Sequence, residues 1–287
     1  MNPYQKFVFD VSTLISDGKR QPLGGFPPAS GVPPAPNAPR VLIFSPHPDD
    51  ECIIGALPLR MRRELKWNVI DVAVTQGSKK ERQAGRLHEL TEACRYLGFG
   101  VIQTRENGLE KINGKGRESD PAAWAESVRI VRGILESNGP KVIFIPHAQD
   151  WNTTHIGTHL LVVDALKSMG PSAAMHVVET EYWQAMSAPN LMAECSAGDL
   201  ADLMAALSFH VEEVKRNPYH LGLPAWMMDN VRRGAEIVLG QGAQSPSYLF
   251  ASLYRVRQWK DGQLQDAYRG GKQVAAGESL SEIFRLA

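Results

Sequence analysis

Two short stretches of the sequence carry side chains whose types and spacing could bind a metal ion. In the first, residues 45–51 (SPHPDDE), His47, Asp49 and Asp50 follow an apolar run and Pro46. Imidazole and carboxylate groups together are ligands of zinc and of neighbouring divalent transition metals. The stretch therefore predicts a site for such a cation.

The second stretch, residues 146–159 (PHAQDWNTTHIGTH), repeats the order of an apolar strand, a proline and a turn crowded with polar residues. It contains His147, Asp150, His155 and His159. His155 and His159 are four residues apart and share one face if a helix begins just before them. Two ligands from the first stretch and one imidazole from the second would make a three-ligand site with an open position for water. That is the layout of a catalytic zinc rather than a structural one.

The elements that position these stretches alternate between strand and helix. Strands are predicted where short apolar runs end at turn residues, at 41–45, 69–75, 101–104, 142–145 and 175–182. Helices are predicted between them, at 51–66, 81–97, 121–137 and 155–167. The alternation predicts an α/β fold, with a Rossmann-like, doubly wound, mostly parallel sheet and helices on both faces. Beyond residue 182 we predict two helical stretches, 198–216 and 225–239, and a β-rich segment at 247–260.

The predicted topology brings the two stretches together. In a right-handed doubly wound sheet, the first and fourth strands commonly flank the point where the strand order reverses. Both stretches follow the carboxyl ends of these strands, where ligands bind in open α/β sheets. We therefore expect the two stretches to face each other across a crevice.

The N-terminal part of the chain has a different character. Residues 20–40 are dense in proline and glycine, which excludes a helix or a central strand. We predict an N-terminal arm and lead-in at 1–40, then a single α/β domain at 41–287 with its core at 41–183. The arm could pack against the body of the protein or against a second subunit of a homo-oligomer, and the sequence leaves both open.

Composition limits the partners. The chain of 287 residues has 31 basic and 31 acidic side chains, which argues against nucleic acid or an anionic membrane surface as the main partner. The three cysteines, Cys52, Cys94 and Cys195, form no close pair, and such a set fits a reducing cytoplasm. We expect no signal peptide, and no apolar run approaches the ~20 residues that a membrane span needs.

The PHPDDE motif and the following Asp-x-x-x-x-His turn resemble those of the PIG-L/LmbE-like zinc-dependent N-acetylglucosaminyl deacetylases. The pattern Arg86-x-x-Glu89-x-x-x-Ala93-x-x-x-Leu97-Gly98 is also similar to a helix of that family. The likeness covers roughly residues 41–183. It implies an enzyme that removes an acetyl group from a small N-acetylated sugar or glycoconjugate, with Zn²⁺ or another divalent transition metal as cofactor.

The resemblance also implies roles for particular residues. His47, Asp50 and His155 match the family's metal ligands, Asp49 matches its general base, and Arg86 matches an arginine near the substrate. One position departs from the pattern, because the family usually reads His-Pro-Asp-His where this chain has Asn152-Thr-Thr-His155. An asparagine can donate a hydrogen bond to an oxyanion but cannot act as an acid.

Several interpretations stay open at the sequence level. Either His159 or Asp49 delivers the proton that Asn152 cannot, or His159 orients a metal ligand. Asp49 and Asp50 could merely cap a helix, although that leaves His47 and the second stretch unexplained. Three aromatic residues could stack on a sugar ring or only fill the core and rim: Trp151, Tyr182 and Trp183.

Two further functions compete with a sugar deacetylase. The same metal site could hydrolyse another amide or an ester in a secondary metabolite. Alternatively, the chain could be an inactive homologue that binds metal and sugar, for which Asn152 is the only support in the sequence.

Overall fold

The computed structural model describes residues 2–28, 32–171 and 173–284. Five parallel strands form the centre of one sheet in the order β3-β2-β1-β4-β5. Their bounds are Arg40–Ser45 (β1), Asn68–Ala73 (β2), Gly100–Gln103 (β3), Val142–Pro146 (β4) and Met175–Thr180 (β5). β1 and β4 are neighbours, so their carboxyl ends open onto the same edge of the sheet. The predicted α/β class, with its doubly wound and mostly parallel sheet, is confirmed.

Helices cover both faces of the sheet and enclose two main apolar clusters. They are α2 (Asp50–Ile53), α3 (Ala56–Arg63), α4 (Gln83–Leu97), α5 (Gly114–Ser119), α6 (Pro121–Asn138) and α7 (Thr153–Ser168). The buried runs of β1 and β4 contain Val, Leu, Ile and Phe, as strands covered on both faces require. Gly98 ends α4 in the left-handed conformation that glycine adopts at little cost.

The helix predicted at 51–66 is divided in two, which corrects the sequence-based bounds. Gly55 has φ +81° between α2 and α3, and a Cβ there would collide with the hydroxyl of Ser252. Gly55 and Pro58 are local signals for this break, whereas the close approach of Ser252, about two hundred residues later, is not visible in the sequence. The short α2 turns the chain directly after Asp49 and Asp50.

The C-terminal region extends the sheet and covers the cavity edge. Strand β7 (Ala251–Lys260) pairs antiparallel with β5, and three short strands lie further out: β6 (Leu191–Glu194), β8 (Gln263–Asp266) and β9 (Lys272–Val274). The helices here are α8 (Ala197–Leu207), α9 (Val211–Arg216) and α10 (Leu223–Ile237), preceded by a short 3₁₀ turn at Tyr219–Gly222. The helix predicted at 198–216 breaks where His210 takes non-helical angles and turns inward.

The N-terminal arm contains a helix, α1 (Gln5–Gly18), and no residue of that helix is buried. The lead-in after it does pack, because the ring of Phe26 lies 6.3 Å from Tyr96 and 6.0 Å from Phe209, measured between centroids. Among the residues that the structure describes, no helix combines the length and apolar character that crossing a bilayer requires.

Candidate metal centre

The turn after β1 brings two potential ligands onto one side of the backbone. The backbone N–H of His47 donates to Oδ2 of Asp50 at 2.8 Å, which folds residues 47–50 into a tight turn. The hydroxyl of Thr75 donates to the carbonyl of Pro46 at 2.7 Å and ties this turn to the end of β2. The side chains of His47 and Asp50 therefore face the same space beyond the end of the sheet.

Three ligand atoms meet in that space in a nearly equilateral triangle. Nδ1 of His47 lies 3.4 Å from Oδ2 of Asp50 and 3.3 Å from Nε2 of His155, and Nε2 of His155 lies 3.4 Å from Oδ2 of Asp50. A tetrahedral zinc ion with ligand bonds of about 2.0–2.1 Å separates its ligand atoms by about 3.3–3.4 Å. The donor set and its spacing fit one face of such a tetrahedron and leave the fourth vertex towards the cavity.

The protonation states of these groups also suit a cation. Burial lowers the pKa of His155, and the attraction of Asp50 offsets only part of that effect. Burial acts to raise the pKa of Asp50, but His155 and His47 outweigh it and hold that pKa below its ordinary value. The imidazole is thus favoured as a neutral lone-pair donor and the carboxyl group as an anion.

The turn after β4 positions His155 through its backbone and one carboxylate. Oδ1 of Asn152 accepts the N–H of Thr154 at 2.8 Å and caps α7. Asp150 accepts the N–H of Asn152 at 2.8 Å and that of Trp183 at 3.2 Å, and its Oδ1 lies 3.7 Å from Nδ1 of His155. At that distance the carboxylate makes no hydrogen bond to Nδ1, but its charge lies on the side of the ring opposite to the metal position and favours the orientation that directs Nε2 there. The Asp-x-x-x-x-His spacing was the only sequence signal for this contact.

Asp49 lies beside the triangle but its carboxylate is held by other partners. The hydroxyl of Tyr219 donates to Oδ2 at 2.6 Å, and Nη2 of Arg86 lies 3.7 Å from the same oxygen. Oδ1 accepts no hydrogen bond from any described residue. Burial and then the neighbouring Asp50 carboxylate raise the pKa of Asp49 to about 7, against the opposing effects of His210, Arg86 and Tyr219.

The backbone of Asp49 is strained and is fixed by a buried ion pair. Its φ of +116° is a conformation that side-chain-bearing residues rarely adopt. Its N–H donates to Oε2 of Glu51 at 2.8 Å, and Oε1 of Glu51 lies 2.8 Å from Nε2 of His210. Burial lowers the pKa of His210, but Glu51 outweighs this and the pKa is raised. Glu51 therefore holds the Asp49 backbone in place.

A cavity of about 820 Å³ opens from these groups to solvent. Its wall includes every sequence-predicted site residue except His159: His47, Asp49, Asp50, Arg86, Asn152 and His155. Tyr182 also lines it, and its ring packs edge-on against His155 with centroids 4.7 Å apart. Trp183 stands at the rim and is 63% exposed.

The two remaining histidines of the second stretch do not reach the cavity wall. Nδ1 of His159 contacts the carbonyl of Pro146 at 2.9 Å and lies 3.8 Å from Glu179. Nε2 of His147 contacts the carbonyl of Gln184 at 2.8 Å. Trp151, which the sequence offered for sugar stacking, is 73% exposed and is not part of the wall.

The buried thiol of Cys52 is not reactive. It donates to Oε1 of Glu51 at 3.0 Å, and burial followed by the charge of Glu51 raises its pKa well above the ordinary value. A thiol in that state is a poor nucleophile and a poor metal ligand.

Fold and site together define a class: a doubly wound α/β protein with a two-histidine, one-carboxylate centre where β1 and β4 end. Residues 42–166 match the model of the PIG-L family, described as GlcNAc-PI de-N-acetylase. The resemblance to PIG-L/LmbE-like deacetylases is thereby confirmed over that part of the chain. Among curated proteins no sequence matches the chain.

Three solved structures show how the fold is used elsewhere. N,N′-diacetylchitobiose deacetylase from Pyrococcus horikoshii is 15% identical, with 91% of this chain and 96% of that one covered and a TM-score of 0.53. Teicoplanin deacetylase Orf2, solved in a zinc-inhibited form, is 15% identical, with 77% and 99% covered and a TM-score of 0.53. GalB, the 4-carboxy-2-hydroxymuconate hydratase from Pseudomonas putida KT2440, is 12% identical, with 76% and 95% covered and a TM-score of 0.55. At these identities the likeness is one of fold.

Proposed function

We propose that this protein is a metal-dependent hydrolase that removes an N-acetyl group from an amino-sugar-like substrate. The observation that carries the proposal is the triangle of His47, Asp50 and His155 with the free oxygen of Asp49 beside it. The family match over residues 42–166 supports a deacetylase in particular.

His47, Asp50 and His155 would hold the metal, which we propose to be Zn²⁺ or another divalent transition metal. When bound, such an ion polarises the acetyl carbonyl and lowers the pKa of water to about 7. Asp150 would keep the ring of His155 oriented towards it.

The two adjacent aspartates have separate roles in this mechanism. Oδ2 of Asp50 already faces both imidazoles, so this carboxylate is the ligand. Oδ2 of Asp49 is occupied by Tyr219, which leaves Oδ1 to accept a proton from the attacking water. A pKa of about 7 suits a general base that works near neutrality.

The contacts of the remaining groups indicate which residue protonates the leaving amine. Oδ1 of Asn152 is used by the helix cap, so its Nδ2 is the group that can donate to the developing oxyanion. Asn152 has no acidic proton, and His159 lies outside the cavity wall. Asp49, protonated in the first step, is therefore the acid that we propose for the second.

The size of the cavity bears on the substrate. A volume of about 820 Å³ lies towards the upper end of the range of about 300–1,000 Å³ typical of small-molecule sites. It is larger than one amino sugar needs. We therefore propose a glycoconjugate or disaccharide whose second part extends past Trp183 and Trp226.

The experiment is an acetate-release assay over a panel of N-acetylated sugars, with metal content measured on the same samples. Asp49→Asn keeps an acceptor for Tyr219 but removes the base, so acetate release should fall by about 10²–10⁴-fold. Metal content should not change. The matched control is Asp164→Asn, an acid on α7 that pairs with Arg117 outside the cavity. Full acetate release by the Asp49 variant would remove the proposed mechanism.

A second candidate keeps the metal and the base but changes the bond. Apolar side chains form part of the cavity wall, among them Ile53, Leu223 and Trp226. Such a wall favours an acylated secondary metabolite as much as a sugar. Hydrolysis of such amides or esters, with no acetate from any N-acetylated sugar, would select this candidate. Binding of sugars without turnover of any compound would select an inactive homologue instead.

A further inference from the structure

Exposed large hydrophobic side chains are concentrated on the N-terminal helix. Thirteen large hydrophobic side chains are exposed among the described residues, and seven of them fall between residues 4 and 15. Phe7 is 66% exposed and Leu14 is 69% exposed. A helix that is fully formed yet buries nothing against its own chain requires another surface to stabilise it.

The exposed side chains form one stripe with helical spacing. They recur every three or four residues, as in the seam of paired helices: Tyr4, Phe7, Val8, Val11, Leu14 and Ile15. Phe9 is 66% exposed as well but points to the opposite side of the helix. The stripe is therefore a defined face and not a general excess of apolar residues.

The charges on this helix exclude an anionic surface as the occupant. Its only cation, Lys6, pairs with Asp10 at 2.6 Å, and Asp17 pairs with Arg20 just beyond the helix. Helices that lie on membranes carry lysine and arginine along their polar face, which α1 does not. A neutral, apolar partner helix fits this face better.

The exposed area is close to what a dimer needs from one subunit. The two aromatic rings of the stripe expose about 250–300 Å², taking about 200 Å² for a fully exposed ring side chain. The four aliphatic side chains add roughly as much again. The total is most of the about 800 Å² that each partner buries in a standard interface.

The helix is also held at a fixed place on the protein. Its C-terminal end meets the 3₁₀ turn, because a Cβ at Gly18 would lie 2.8 Å from Leu221. Leu23 and Phe26 then pack on the main core. The helix thus meets the rest of the protein at its C-terminal end, which leaves the stripe free for a partner.

We propose that α1 pairs with α1 of a second copy of this chain across a two-fold axis. Such a contact is isologous, so each helix supplies the apolar face that the other one needs. In a parallel pair Val11 meets its own counterpart, and in an antiparallel pair that overlaps over the whole stripe it meets Val8 of the second copy.

Sedimentation of the full chain tests the pairing. The wild type should have twice the mass of one chain, and Phe7→Glu and Leu14→Glu should each be monomeric. Phe9→Glu is the matched control on the opposite side and should remain dimeric. Since no side chain of α1 is buried, all three variants should fold, and circular dichroism checks this. A monomeric wild type, or dissociation by Phe9→Glu as well, would overturn the proposal.

Crosslinking gives an independent reading of the same contact. On mild oxidation, Val11→Cys alone should form an intermolecular disulfide if the helices are parallel, and Val8→Cys combined with Val11→Cys should do so if they are antiparallel, whereas Thr13→Cys on the far side of the helix should form none. The three native cysteines are buried and should not interfere. Flotation of the wild type with vesicles of phosphatidylcholine and phosphatidylserine, abolished by Phe7→Glu, would instead assign the stripe to a membrane surface and overturn the pairing.

Discussion

The turns after β1 and β4 look alike in the sequence, yet the protein uses their polar side chains differently. In the β1 turn, His47 and Asp50 both face the metal position. In the β4 turn, Asn152 caps α7, Asp150 accepts two backbone N–H groups, and only His155 faces that position. The β1 turn uses one carboxylate for both tasks, because Oδ2 of Asp50 accepts the N–H of His47 and also faces the metal position, whereas the β4 turn places its backbone acceptors and its imidazole on different residues.

The difference has a physical cause in how each turn satisfies its backbone. The β4 turn starts a long helix whose free N–H groups must find acceptors, and the nearby side chains supply them. The β1 turn instead holds Asp49 at φ +116°, a conformation stabilised from outside by Glu51. Strain of this kind costs about 1–3 kcal/mol and is found where a reactive group must be aimed.

The most direct test of this difference is to remove one imidazole of the β4 turn at a time. His155→Ala should lose metal and activity together, with affinity falling at least about 100-fold, since even an indirect partner of a ligand is worth 10–100-fold. His147→Ala should keep the metal, because its ring contacts the carbonyl of Gln184. Metal analysis after dialysis distinguishes the two. Equal loss in both variants would mean that the β4 turn supplies more than one ligand.

Asn152 can be tested for its two functions separately. Asn152→Asp keeps the acceptor for the Thr154 N–H but removes the amide donor, so acetate release should fall by about 100-fold with an unchanged melting temperature. Asn152→Ala removes both and should also lower the free energy of unfolding by about 1 kcal/mol. An aspartate variant with wild-type turnover would show that Asn152 only caps the helix.

Asp150 would affect the metal through His155, whose ring it contacts. Asp150→Asn leaves a single acceptor oxygen for two backbone N–H groups and for the ring of His155. Metal affinity should fall by about 10–100-fold. Asp164→Asn on the same stretch of chain should leave affinity unchanged, and a calorimetric titration compares the two. No difference between these variants would contradict the orienting role.

The sequence was informative wherever a feature depends on neighbouring residues. The alternation of strands and helices follows from patterns within a few residues, the position of β1 next to β4 follows from the topology expected of such a sheet, and the choice of His47, Asp50 and His155 came from the resemblance to the family. The cap at Asn152 could also have been predicted, because asparagine before a helix is a common N-cap. The sequence also contains the amphipathic spacing of α1, but it does not indicate which surface this helix contacts.

The rest depends on residues that meet only after folding. Ser252 packs against Gly55 at the break between α2 and α3, and the Asp49 backbone is fixed through His210, which is 159 positions from its partner Glu51. Tyr219 likewise reaches Asp49 across 170 positions. These residues lie outside the 42–166 segment that matches the family model. In the β1 turn, the proposed ligands are therefore set by neighbouring residues, whereas the proposed base is positioned by residues far away in the sequence.

The hydrogen bond from Tyr219 to Asp49 should give the smallest of the predicted effects on turnover. Tyr219→Phe removes the donor to Oδ2 of Asp49 and lets the carboxylate turn, which should lower kcat about tenfold, since a hydrogen bond to a charged group is worth about 1.5 kcal/mol. KM and metal content should not change, because Tyr219 contacts none of the three ligands. The matched control is Tyr96→Phe, whose hydroxyl donates to Asp202 at 2.8 Å outside the cavity wall. A rise in KM with unchanged kcat would instead place Tyr219 in substrate binding, and the orientation of Asp49 would then rest on Glu51 and His210 alone.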